Sequence, residues 1–113
     1  MKLSDVKTIL DAKIFCHDDL LDEEVNSACG SDLMSDVLAF VKNQSILLTG
    51  LNNQQVVRTA EMMDMSCIVF VRGKAPEASV INLAEARGLA LMATELTMYQ
   101  ACGKLYAAGL GDT

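Results

Sequence analysis

The sequence predicts a single-domain three-layer αβα fold with a mainly parallel sheet. Three features point there. Short, continuous apolar runs ending in turn residues occupy 45–50, 67–73 and 89–94. Segments with apolar residues at helical spacing follow each run. The strand–helix units repeat in steps of about 22 residues, too long for hairpins and suited to βα crossovers. Strands that are apolar throughout are buried on both faces, which a parallel sheet between two helical layers provides.

Taken in order, Ser4 to Leu10 reads as a short amphipathic helix, with Ser4 as N-cap and Leu3, Val6, Ile9 and Leu10 as its apolar stripe. Lys13 to Cys16 reads as a short strand, His17, Asp18 and Asp19 as a polar turn, and Val25 to Cys29 as a weak strand before Gly30. Ser31 or Asp32 caps the next helix, whose stripe is Leu33, Met34, Val37, Leu38 and Val41. The strand SILLTG then leads into a helix at 52–64 with Val56, Val57, Ala60 and Met63 on one face. The strand CIVFVRG leads into a helix that starts at Pro76 and stops at Gly88, the expected asymmetry. LALMAT is the third clear strand, and Thr94 is the expected N-cap of the last helix. With 113 residues and no linker or low-complexity stretch, residues 1–113 form one domain.

Composition excludes several function classes. Apolar residues make up 51% and charged ones 21%, a globular balance. The net charge is −6, and the nine Lys and Arg are scattered, so a phosphate-backbone binder is not expected. An acidic surface also disfavours anionic membranes, and no apolar run approaches the ~20 residues that span a bilayer. The N-terminus lacks the apolar core of a signal peptide, so a cytoplasmic location is expected. Cys16, Cys29, Cys67 and Cys102 form no close pair, so they are expected to be reduced thiols and not zinc ligands. No metal site and no cofactor is expected.

In an open parallel sheet, ligands sit beyond the carboxyl ends of the strands. That places Thr49, Gly50, Asn52 and Asn53 after the first clear strand, Arg72, Gly73 and Lys74 after the second, and Thr94 and Glu95 after the third. Helix N-termini on this rim favour an anion, and Arg72 and Lys74 add positive charge. The plain alternative is that these residues are only helix caps and turn residues. A second polar cluster is Ser31, Asp32, Ser35 and Asp36, where the two carboxylates are spaced for one helical face; the alternative is a cap and a solvated side chain. His17 beside Cys16 makes a poor nucleophile pair, because adjacent residues of an extended segment point apart. The chain has no P-loop, no dinucleotide fingerprint and no nucleophile elbow. No residue is therefore assigned as catalytic, and the chain is expected not to be an enzyme.

The last helix carries a wider apolar band than one core-facing stripe requires, including Leu96, Met98, Tyr99, Cys102, Leu105 and Tyr106, and Met62, Met63 and Met65 cluster elsewhere. Surplus apolar and Met surface often marks an interface, and a homodimer is the expected assembly; the alternative is a generously apolar core in a small domain.

The residues ACGSDLMSDVLAFVKNQSILLTGLNNQQVVRTAEMMDMSCIVFVRGKAPEASVINLAEARGLALMATELTMYQACGKLYAAGL resemble a DRTGG domain, most specifically at 31–39 and 46–73. Such domains stand alone, beside CBS domains, or within phosphotransacetylase-type proteins. They are similar to the N-terminal domain of HPr kinase/phosphorylase, whose catalysis lies in a separate P-loop domain, and more distantly to the N-terminal domain of Mur ligases. The chain departs from the namesake motif: Gly50-Leu51-Asn52 stands where Asp-Arg would fall, and Val71-Arg72-Gly73 where Thr-Gly-Gly would. The resemblance implies a regulatory module, possessing no kinase activity of its own. It is expected to sense a small anionic or nucleotide-like ligand and to act on a partner protein; the alternative is a ligand-free interaction scaffold.

Overall fold

A computed structural model describes residues 1–40 and 45–111. The elements in chain order are α1 (Leu3–Ile9), β1 (Lys13–Cys16), a 3-10 turn (Asp18–Leu20), β2 (Ala28–Gly30), α2 (Met34–Phe40), β3 (Ile46–Thr49), α3 (Gln54–Met62), β4 (Cys67–Phe70), α4 (Ala78–Arg87), β5 (Ala90–Ala93) and α5 (Met98–Ala107). The five strands form one sheet in the order β1-β5-β4-β3-β2. β2, β3, β4 and β5 run parallel, and β1 closes one edge antiparallel to β5.

The topology decides which helix lies on which face. From β2 to β5 every crossover moves one strand along the sheet in the same direction. Right-handed crossovers in a constant direction put their helices on one face. Accordingly α2, α3 and α4 pack on the face that shows Leu47, Ile68, Phe70 and Leu91. The period-two alternation of the strands sends Ile46, Leu48, Val69 and Met92 to the other face. α1 and α5 cover that second face, through Leu3, Val6, Leu10, Ala101 and Leu105. The three-layer αβα prediction is therefore correct.

Several boundaries differ from the expectation, each for a local reason. Ser4 is not a cap: α1 starts at Leu3, and Asp5 Oδ2 accepts from the Lys2 amide at 2.9 Å. The second strand begins at Ala28, because Glu24 bridges to Lys2 and Val25 donates to the Met1 carbonyl instead of joining β3. Of the described residues in the expected stripe of α2, Met34 and Val37 are buried, while Leu33 and Leu38 are exposed. Val41 lies outside the described residues. Pro76 stands just before the N-cap Glu77 of α4, and Gly88 ends that helix with φ +74° as expected.

Thr94 is not the cap of α5. Thr97 is: its hydroxyl accepts from Gln100 N at 3.2 Å, and the Gln100 side chain accepts from Thr97 N at 3.1 Å. This reciprocal arrangement satisfies two orphan amides at once, which Thr94 cannot do without a partner three residues on. All four cysteines are free thiols, and no described helix is long and apolar enough to cross a membrane.

Candidate functional site

The carboxyl ends of β3, β4 and β5 share one rim, and hydrogen bonds join their exit loops. Arg72 N donates to Leu96 O at 2.7 Å, and Gly73 N donates to Thr94 O at 2.9 Å. Val71 N donates to Thr49 O at 3.0 Å. Asn52 Nδ2 reaches the Ala75 carbonyl at 3.1 Å, tying the loop before α3 to the loop before α4.

Asp32 is the hub of this rim. Its Oδ1 accepts from the buried Gly50 amide at 2.6 Å and from the Thr49 hydroxyl at 3.2 Å. Its Oδ2 lies 3.4 Å from both terminal nitrogens of Arg72. The Gly50 amide holds the Asp32 carboxyl below the usual carboxylate range; burial opposes this, and the Thr49 hydroxyl and the Arg72 charge assist it. Asp32 thus lies in the turn before α2 and does not cap it; the nearby Ser31 hydroxyl takes the Leu33 amide. Because Asp32 precedes the helix, it shares no helical face with Asp36. Ser35 and Asp36 stand exposed on α2, outside the hydrogen bonds of the hub.

Two glycines make the hub possible. A Cβ on Gly50 would overlap the Arg72 guanidinium, which lies across it. Gly73 has φ +69°, and a Cβ there would sit 2.6 Å from a carboxylate oxygen of Glu95. Arg72 itself has φ +59°, a left-handed conformation that a non-glycine residue adopts at a cost. Gly73→Ala is expected to lower stability by about 1 kcal/mol, through the left-handed backbone and the displaced Glu95, as measured by urea unfolding.

The amides expected to attract an anion are largely used within the chain. Asn53 caps α3 by accepting from Val56 N at 3.3 Å, Thr97 caps α5, and Asp32 takes Gly50 N. Thr94 is buried, donates to Leu10 O at 2.7 Å and accepts from Leu96 N at 3.3 Å. What stays open on the rim is cationic and acidic side-chain surface: Arg72, Lys74 and Glu95 are exposed. Cys16 Sγ lies 3.3 Å from Leu89 O and His17 Nε2 2.8 Å from Glu85 O, so each is held to a backbone carbonyl around the end of α4. His17 has φ +56° and is not part of the extended segment expected from the sequence. Among the described residues, no three His, Cys, Asp or Glu side chains are arranged to hold a metal ion.

The directions of the exit loops distinguish one position on the rim. The β4 loop leads to α4 on one face, and the β5 loop leads to α5 on the other. Adjacent strands whose loops leave to opposite faces form a topological switch point, the usual ligand position in open α/β sheets. Arg72, Gly73, Thr94 and Glu95 stand there. The sequence pattern locates the loops but not this switch point, which depends on strand order.

The family model for the DRTGG domain matches residues 5–108. The chain belongs to the DRTGG domain family. Among solved structures, this DRTGG domain is similar to the CBS and DRTGG domains of the regulatory region of Clostridium perfringens pyrophosphatase, a structure complexed with the activator diadenosine tetraphosphate. The TM-score is 0.75 at 13% identity, over 92% of this chain and 45% of the other. At that identity the likeness establishes the fold, and the DRTGG chain spans less than half of its neighbour. No curated protein matches the sequence.

Proposed function

We propose that this DRTGG domain is a non-catalytic regulatory and assembly module. It forms a homodimer, takes a small anionic or nucleotide-like ligand at the switch point between the β4 and β5 exits, and acts on a partner protein. The observation that carries the ligand reading is that switch in loop direction, which coincides with the exposed Arg72 and Lys74. The neighbouring pyrophosphatase region, solved with a nucleotide activator, supports the same class of ligand. The assembly reading rests on α5, where Tyr99 is 89% and Tyr106 73% exposed.

Thermal-shift titration with ATP, ADP, AMP, diadenosine tetraphosphate and inorganic phosphate tests the ligand reading. At least one nucleotide is expected to raise the melting temperature at millimolar concentration, and Arg72→Ala is expected to abolish the rise. A rise that persists in Arg72→Ala would move the ligand elsewhere.

The ligand-free scaffold is favoured by one observation: the rim amides of Gly50, Arg72 and Gly73 are already bonded within the chain. No shift with any of these compounds would select that reading.

A further inference from the structure

The outer face of α5 contains an unexplained glycine. Gly103 lies inside the helix, where glycine destabilises relative to alanine. Its own chain gives no reason for it, because nothing lies within 4 Å of where a Cβ would stand. The contrast is Gly50, where the Arg72 guanidinium fills that space. A helix-interior glycine facing open space fits the close approach of another backbone.

The residues around Gly103 are self-complementary. At helical spacing Gly103 falls at the centre of the exposed face, opposite the buried Ala101 and Leu105. Tyr99 and Tyr106 flank it on one side, and Gln100 and Ala107 on the other. Tyr99 and Ala107 are equally far from Gly103 along the chain, as are Gln100 and Tyr106. A two-fold axis perpendicular to α5 at Gly103 keeps each flank on its own side, so the tyrosine flank of one copy lies against the tyrosine flank of the other. Tyr99 of one copy then lies across from Tyr106 of the other, an aromatic pair made twice, and Gln100 lies across from Ala107 on the opposite flank. Glycine faces glycine on the axis.

We infer that two copies of this chain associate through α5, antiparallel, with the two-fold axis passing at Gly103. This rests on the homodimer reading above and gives it a geometry. The four tyrosine rings of a dimer supply roughly 600–1,000 Å², about half of a stable interface of ~1,200–2,000 Å². Met98, Cys102 and the aliphatic stem of Lys104 extend the same surface, and the Lys104 ammonium reaches past it to water.

Sedimentation equilibrium and oxidative cross-linking test the geometry together. The wild-type chain is expected to dimerise at micromolar concentration. Gly103→Ala is expected to raise the melting temperature of the dilute chain and to weaken association at least tenfold. The opposite signs separate a lost interface from a damaged fold. Gly103→Cys is expected to give a covalent dimer under mild oxidation, well above the wild-type yield, whereas Asn82→Cys on α4 is not. A dimer whose affinity ignores Gly103→Ala, or a Gly103→Cys chain that cross-links no better than Asn82→Cys, overturns the α5 geometry alone. A wild-type monomer at 100 µM, a concentration about a hundredfold above a micromolar Kd, overturns both the geometry and the homodimer.

Discussion

Thr94→Val is expected to destabilise the domain by about 2–3 kcal/mol, although it changes almost no volume. Thr94 is 3% exposed, and its hydroxyl bonds in two directions. It donates to the Leu10 carbonyl at the end of α1 and accepts from Leu96 N in the loop before α5. Valine fills the space and leaves both backbone groups without that partner. A buried group left unpaired costs about 1–3 kcal/mol, more than a net hydrogen bond contributes. At ~4 °C per kcal/mol for a domain of this size, the melting temperature should fall by about 10 °C. Thr94→Ser keeps the hydroxyl and should recover most of the loss. Calorimetry on the two variants separates the lost hydrogen bonds from the lost methyl.

Asp32→Ala is expected to cost about 2 kcal/mol, chiefly by orphaning the Gly50 amide. The Arg72 contact adds little, because both side chains are 43% exposed and water screens the pair. The same site predicts a pH dependence. The carboxyl of Asp32 is held below its ordinary value of 3.8, so the folded chain binds fewer protons there than the unfolded chain. Its contribution is therefore complete above the unfolded value. It is lost as pH falls through the lower folded value. In urea titrations between pH 7 and pH 2, Asp32→Asn should lack this part of the acid limb. It should also be less destabilised than Asp32→Ala at pH 7, since the amide oxygen still accepts from Gly50.

The parallel core of the fold was legible because its signals are local. Continuous apolar runs, an N-capping Asn53 and the αL stop at Gly88 each need only neighbours in sequence. Thr97 was legible too: the spacing Thr97 to Gln100 is a capping box, whereas Thr94 has a threonine three residues on. The prediction chose the first hydroxyl after the strand instead of the one with a reciprocal partner. Asp32 could not be read the same way. Its partners at 49, 50 and 72 come near only after β2, β3 and β4 assemble, so sequence offered it as a helix cap. Likewise the antiparallel placement of β1 on β5 depends on a pairing across almost the whole chain, which no local pattern encodes. The convergence of the exit loops followed from parallel strands, but the switch point between β4 and β5 required the strand order.

The proposed ligand site is tested most directly by a two-dimensional amide NMR titration of the wild-type chain with ATP and with diadenosine tetraphosphate. Progressive shifts concentrated at Arg72, Gly73, Lys74 and Glu95, saturating with ligand, are the predicted result. Saturable shifts that leave those four amides unmoved and gather elsewhere, or none at millimolar nucleotide, would contradict it.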